Sequence, residues 1–162
     1  MIEIYTDGGC SGNPGPGGWA YIIIRAEGPL NEKSGVIAPA ILAEKWGAEK
    51  PTTNNRMELL AVISALEALP LLCSGSLEGN EKITIYTDSQ YVQKGITLWI
   101  KDWKSKSWKT SGKKPVKNQD LWQRLDALAA GVPLKWIWLK GHAGHEFNER
   151  CDKLTKKAIA SL

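Results

Sequence analysis

Two copies of one tetrapeptide carry the first chemical signal in this chain. Ile4-Tyr5-Thr6-Asp7 and Ile85-Tyr86-Thr87-Asp88 each alternate as a β-strand does, and each ends on an aspartate. If the two strands are parallel neighbours, Asp7 and Asp88 stand side by side at the carboxyl end of a sheet, where open α/β sheets place their ligands. One such aspartate serves equally well as a turn or helix cap; two in identical settings argue for a shared site. Adjacent carboxylates repel unless a cation stands between them, and hard oxygen donors favour Mg²⁺ or Mn²⁺.

Further candidates lie in two other segments. Glu58 follows Thr52-Thr53-Asn54-Asn55-Arg56-Met57 and opens an apolar helical stretch. Asn55 as N-cap with Glu58 three residues later would make a capping box. A Glu in that position can also turn toward the end of the sheet and reach a metal. Asp152 sits near the start of the last helical stretch, and Lys140-Gly141-His142-Ala143-Gly144-His145 precedes it with both histidines of the chain. A loop histidine beside carboxylates is a candidate proton carrier, because its charge changes near neutrality; ligation of a metal is the alternative.

Composition bounds what can surround such a site. A chain of 162 residues with 43% hydrophobic residues is one domain with a sizeable core. The apolar runs are too short for a membrane span, and MIEIYTDGG lacks the basic and apolar regions of a secretory signal, so membrane insertion and export are not expected. Cys10, Cys73 and Cys151 stand far apart, which reads as reduced thiols in a cytoplasmic protein. The net charge of +4 is unevenly spread: Trp99 to Arg124 carries eight basic residues against Asp102 and Asp120, a local +6, and the remainder is −2. Four of the eight tryptophans, Trp99, Trp103, Trp108 and Trp122, lie in that stretch. A solvated helix pair with core tryptophans would read this way, and so would a phosphate-binding surface.

The elements that must position these groups follow from periodicity. Residues 2–7 and 19–25 read as strands separated by the turn-rich GNPGPGG, with a third short strand near 33–38 completing an antiparallel meander. Residues 55–72 read as a buried helix, 75–82 as a loop, 83–88 as a strand and 89–102 as a helix. The Lys-rich loop 104–117, a helix over 119–130, a strand over 134–140 and a helix over 146–160 complete the chain. Trp136 and Trp138 share one face of that strand, which predicts burial for both. A meander followed by α-β-α-β-α predicts a mixed α/β sheet with helices on its faces.

Together DGGCSGNPGPGG at 7–18, TTNNRMEL at 52–59, YTDSQYV at 86–92, SWKT at 107–110 (GWKT-like), KKPVKN at 113–118, DLWQRLD at 120–126 and KGHAGHEFNERCD at 140–152 resemble bacterial type 1 ribonuclease H over nearly the whole chain. The resemblance implies one catalytic domain over 1–162 with the ribonuclease H-like fold: a five-stranded mixed sheet, three antiparallel plus two parallel strands, flanked by helices. It implies a monomeric endonuclease that cuts the RNA strand of RNA–DNA hybrids, leaving 5′-phosphate and 3′-hydroxyl ends, as in removal of RNA primers and R-loops.

Position by position, the resemblance assigns Asp7, Glu58, Asp88 and Asp152 as ligands of two Mg²⁺ ions, with Mn²⁺ as a substitute, and His142 as the catalytic-loop histidine. It places the backbone around Cys10 with Asn13, Asn54, Asn55 and Gln90 in the minor groove of the hybrid, where 2′-hydroxyls distinguish RNA from DNA. Thr53 and Asn118 match the pocket for a DNA phosphate. The Trp- and Lys-rich segment at about 99–117 matches the family's basic protrusion, with Trp103, Trp108 and Lys109 as substrate contacts and Trp99 and Trp122 as core.

Two departures stand out. Segment 39–51 is longer than in compact members of the family and carries no function by resemblance. Upstream of Thr53 the chain has Lys50-Pro51 where the family often has a basic residue, which makes Lys50 the candidate substitute. A transposase or junction resolvase would share the acidic sheet without TTNN or KGHAGH, and a non-catalytic hybrid-binding module would lack one or more of the acids.

Overall fold

The computed structural model describes residues 1–26, 30–72 and 81–162. In chain order the elements are β1 (Ile2–Cys10), β2 (Gly15–Arg25), β3 (Leu30–Asn31), β4 (Val36–Ile37), β5 (Ala40–Thr52), α1 (Asn54–Leu72), β6 (Ile83–Thr87), α2 (Gln90–Lys94), a π-turn (Gly95–Trp99), α3 (Ile100–Ser105), α4 (Gln119–Ala129), β7 (Leu134–Trp138) and α5 (Glu146–Ala160). Five strands form one mixed sheet in the order β5-β2-β1-β6-β7. β2 is antiparallel to β1 and β5, whereas β6 is parallel to β1 and β7. The expected fold class is therefore the observed one.

The two tetrapeptides align without offset. Ile4 faces Ile85, Tyr5 faces Tyr86 and Thr6 faces Thr87 across the β1–β6 pair. Because side chains alternate between faces, Ile4 and Ile85 enter the core under α1 while Tyr5 and Tyr86 stack on the other face, ring centroids 4.7 Å apart. The next pair in this register is Asp7 and Asp88. α1 is buried along most of its circumference, through Met57, Leu59, Ala61, Val62, Ile63, Ala65, Leu66 and Leu69, because it packs against both the sheet and α4. α5 covers the opposite face at β2, β1 and β5. The predicted loop at 75–82 and Cys73 lie largely or wholly outside the described residues.

Four expectations need correction. The third strand of the sheet is β5, not a strand near 33–38, where the chain forms only the second half of the two-residue ladder β3–β4. The segment 39–51 is therefore structural: β2 is 11 residues long and needs a partner of similar length along its outer edge. As an edge strand half open to solvent, β5 shows no clean apolar alternation, and that hid it. It is also tied to α5, through the Arg150–Glu44 ion pair and the Lys157 ammonium 5.4 Å over the Trp46 ring.

The first turn of α1 is capped by Thr53, whose Oγ1 accepts the Arg56 N–H at 3.3 Å, not by Asn55. The helix thus starts earlier than expected, and Glu58 has no capping duty. The predicted helix 89–102 opens on Ser89, whose Oγ accepts the Val92 N–H at 3.2 Å, but widens to a π-turn and runs on to Ser105. A Cβ on Gly95 would lie 1.9 Å from the ring of Trp122, so only glycine lets this helix close over that fully buried tryptophan. Finally, Trp136 packs on the core, but Trp138 is 37% exposed, because β7 is an edge strand and its end projects beyond the core.

Candidate active site

The acidic site forms where β1 and β6 end and α1 begins. Asp7 lies in β1 and is only 6% exposed; Asp88 directly follows β6. Glu58 comes from the start of α1, and its proximity depends on Gly8. A Cβ on Gly8 would lie 2.3 Å from the Met57 carbonyl carbon and 2.4 Å from the Glu58 nitrogen, so the strand and the helix touch backbone to backbone there. Oxygens of Asp7, Glu58 and Asp88 lie within 4.8 Å of one another.

Such crowding is costly without a cation. Burial, and next the Asp88 charge, raise the Asp7 carboxyl to about 7. Glu58 is pushed well above the usual carboxylate range by burial and by the charge on Asp7, and burial raises Asp88 as well. Glu58 Oε2 is shielded from solvent and accepts no hydrogen bond among the described residues. An all-oxygen donor set, one buried oxygen without a partner and three acids held in mutual repulsion fit a divalent hard cation.

The same cleft, of about 530 Å³, is lined by Asp152 and His142. Asp152 does not join the triad of oxygens: its carboxylate pairs with Lys156, one helical turn later, at 2.8 Å. His142 occupies a left-handed backbone position, φ 56°, in the loop between β7 and α5. Three neighbours had no predicted role. Asn148 is buried and favours the ionised form of Asp88; Trp138 donates its indole N–H to the Asp88 carbonyl oxygen at 2.9 Å; Lys156 pairs with Asp152. For Asn148 a signal existed, since Asn148, Asp152 and Thr155 repeat at helical spacing and so share one face of α5.

The predicted substrate residues fall into three groups. Beside the acids, the Cys10 N–H donates to Asn54 Oδ1 at 2.7 Å and the Asn54 N–H donates to Asn13 Oδ1 at 3.3 Å, with Asn55 exposed next to them. Gln90 is exposed in the first turn of α2, two residues beyond Asp88. Thr53 and Asn118 are joined through Arg56, which donates its backbone N–H to Thr53 and a guanidinium N–H to Asn118 Oδ1 at 3.3 Å.

In the protrusion, Trp103 and Trp108 are half-buried against the core, 6.3 Å apart, and Lys109 is exposed. Trp122 is fully buried as expected, and Trp99 packs edge-on to Tyr91. Among the described residues no helix is long and apolar enough to cross a membrane.

Comparison with known proteins agrees with this geometry. The family model for RNase H matches residues 1–160. Ribonuclease H of Treponema denticola is 52% identical, covering 99% of this chain and 98% of its own, and ribonuclease H of Dechloromonas aromatica is 53% identical, covering 99% and 95%. The crystal structure of LC9-RNase H1, a type 1 RNase H with the type 2 active-site motif, superposes with a TM-score of 0.80 at 34% identity, over 99% of this chain and 72% of that one. With an acidic triad at the carboxyl end of its mixed sheet and these relatives along its whole length, the chain belongs to the ribonuclease H family.

Proposed function

We propose that this protein is an endonuclease that hydrolyses the RNA strand of RNA–DNA hybrids with divalent metal, leaving 5′-phosphate and 3′-hydroxyl ends. The observation that carries the reading is the meeting of Asp7, Glu58 and Asp88 in an open cleft with one Glu58 oxygen buried and unpartnered. Asp7, Glu58, Asp88 and Asp152 would hold two Mg²⁺ ions, or Mn²⁺ in their place. When bound, the metal supplies the positive charge that neutralises these carboxylates and the charge that builds on the phosphate during hydrolysis.

The rest of the work belongs to the chain. The β1–β6 register ends at Thr6 and Thr87, which brings the next residues, Asp7 and Asp88, side by side, so their carboxylates would offer the metal a preformed set of ligands against which the scissile phosphate docks. Asp152 lines the same cleft, paired with Lys156, and would turn from that ion pair to reach a metal. His142, on its loop, carries a proton to or from the reacting phosphate and assists departure of the product. The Cys10, Asn13, Asn54, Asn55 and Gln90 group lies along the approach to the acids and reads the 2′-hydroxyls of the RNA strand. Thr53 and Asn118 hold a phosphate of the DNA strand. The protrusion, with Trp103, Trp108 and Lys109, adds counter-charge and ring surface, so one domain acting as a monomer in the cytoplasm binds the hybrid unaided.

Cleavage of matched RNA–DNA, RNA–RNA and DNA–DNA duplexes in Mg²⁺, Mn²⁺ or chelator tests the reading. Cutting confined to the RNA strand of the hybrid, and lost in chelator, is the expected result. Activity that survives chelator, or is equal on DNA–DNA, overturns it.

A further inference from the structure

Behind Asn118 the polar side chains form a hydrogen-bond chain with only one possible direction. Arg56 Nη1 donates to Asn118 Oδ1 at 3.3 Å, and Asn118 Nδ2 donates to the Tyr91 hydroxyl oxygen at 3.1 Å. Trp122 Nε1 donates to the same oxygen at 3.0 Å. A guanidinium and an indole can only donate. The Asn118 amide must therefore turn its oxygen to Arg56 and its nitrogen to Tyr91, and the Tyr91 oxygen receives two donors.

Both ends of the chain are anchored. Arg56 also donates to both oxygens of Asp120, at 3.1 and 3.0 Å, and Trp122 is fully buried. The Tyr91 ring is held by packing, its centroid 5.3 Å from that of Trp122.

Asn118 itself is arranged for something other than helix capping. It occupies the N-cap position of α4 in a left-handed conformation, φ 57° and ψ 30°, and its side chain makes no bond to the helix it precedes. Of the two N–H groups on its amide, one is used by a hydrogen bond among the described residues. Among those residues the second has no acceptor and is left for one from outside.

We propose that Tyr91 is a positioning residue for substrate: its hydroxyl locks the Asn118 amide so that the second Nδ2 N–H is held in one place for a phosphate oxygen of the DNA strand. The inference rests on the reading of Asn118 as a phosphate contact, and it adds that the contact needs Tyr91, which lies on a different element and touches no substrate. Without the hydroxyl the amide is held at its oxygen alone, by Arg56, and its nitrogen can swing about that contact, so the donor no longer points one way. The hydroxyl also satisfies the buried Trp122 N–H, so a purely structural role would appear in stability alone.

The test is steady-state cleavage of an RNA–DNA hybrid in Mg²⁺ by wild type, Tyr91→Phe, Asn118→Ala and the double variant, at a temperature below all their melting transitions. Tyr91→Phe raises KM about fivefold, the effect of losing one net hydrogen bond, with kcat unchanged. In the Asn118→Ala background the same change raises KM no further, because the two act through one contact. A wild-type KM for Tyr91→Phe beside a raised KM for Asn118→Ala overturns the inference alone, as do additive effects in the double variant. An unchanged KM for Asn118→Ala overturns the phosphate reading and the inference with it. Should Tyr91→Phe lose stability, its KM is remeasured at a lower temperature where its folded fraction matches wild type: a KM still about fivefold raised at constant kcat supports the inference, and a return to the wild-type KM overturns it.

Discussion

Replacing Asp7 by Asn should make the metal-free protein more stable while destroying its activity. The Asp7 carboxyl is raised from 3.8 to about 7 by burial and by Asp88, so the folded state holds its proton where the unfolded chain has lost it. Below pH 3.8 both states are protonated and the shift costs nothing. As pH climbs toward 7 the unfolded state ionises first and stability falls; above 7 the full penalty remains. At about 1.4 kcal/mol per unit, a rise of about three units amounts to about 4 kcal/mol. Asparagine keeps the shape and removes the charge, so in chelator at pH 8 Asp7→Asn should melt on the order of 10 °C above wild type. The gap should close near pH 4. Mg²⁺ should stabilise wild type and leave the variant nearly unmoved, since ligand binding to the native state supplies the counter-charge. Melting curves at pH 4, 5.5 and 8, with and without Mg²⁺, measure all of this. A variant no more stable than wild type at pH 8 in chelator would refute the claim that burial and the neighbouring acid penalise the Asp7 charge.

Three more outcomes follow from the same geometry. Asp7→Asn should abolish cleavage yet retain hybrid binding in a gel-shift assay, whereas His142→Ala should only slow turnover; full activity in Asp7→Asn would remove it from the metal site. Gly8→Ala places a Cβ 2.3 Å from the backbone at Met57, so kcat should fall at least tenfold as Glu58 is displaced, with a lower melting temperature; wild-type kinetics would show that the close approach is dispensable. Ser107 holds φ 55°, a left-handed position in the exposed protrusion, so Ser107→Gly should stabilise by about 1 kcal/mol in urea titration, and a destabilised variant would contradict the strain argument.

Much of the acidic site was legible in the sequence because chemistry and register were written twice. The repeated IYTD placed Asp7 and Asp88 abreast, since identical alternation in two parallel strands brings identical positions into line. Glu58 was legible as a candidate but not as a certainty, because the capping-box pattern offered it another partner. That competition was decided by Gly8, whose missing side chain brings α1 against β1, and by Thr53, which takes the cap. The edge strand β5 was missed for the reason that edge strands generally are: half its surface faces water, so its apolar periodicity is weak, and only the length of β2 demands it.

What the sequence alone determined was the inventory and its order: four acids, a loop histidine, a basic aromatic segment and the alternation of strand and helix. Local patterns suffice for these, because strand and helix periods and turn chemistry act over a few residues. Tertiary structure decided which groups meet. It turned Asp152 toward Lys156 and left the triad to Asp7, Glu58 and Asp88, set Trp138 against the Asp88 carbonyl, and linked Arg56, Asn118, Tyr91 and Trp122 from three separate elements. Those contacts join residues up to 81 positions apart, Asp7 and Asp88, and are set by the sheet order and by helix packing, which no local pattern encodes.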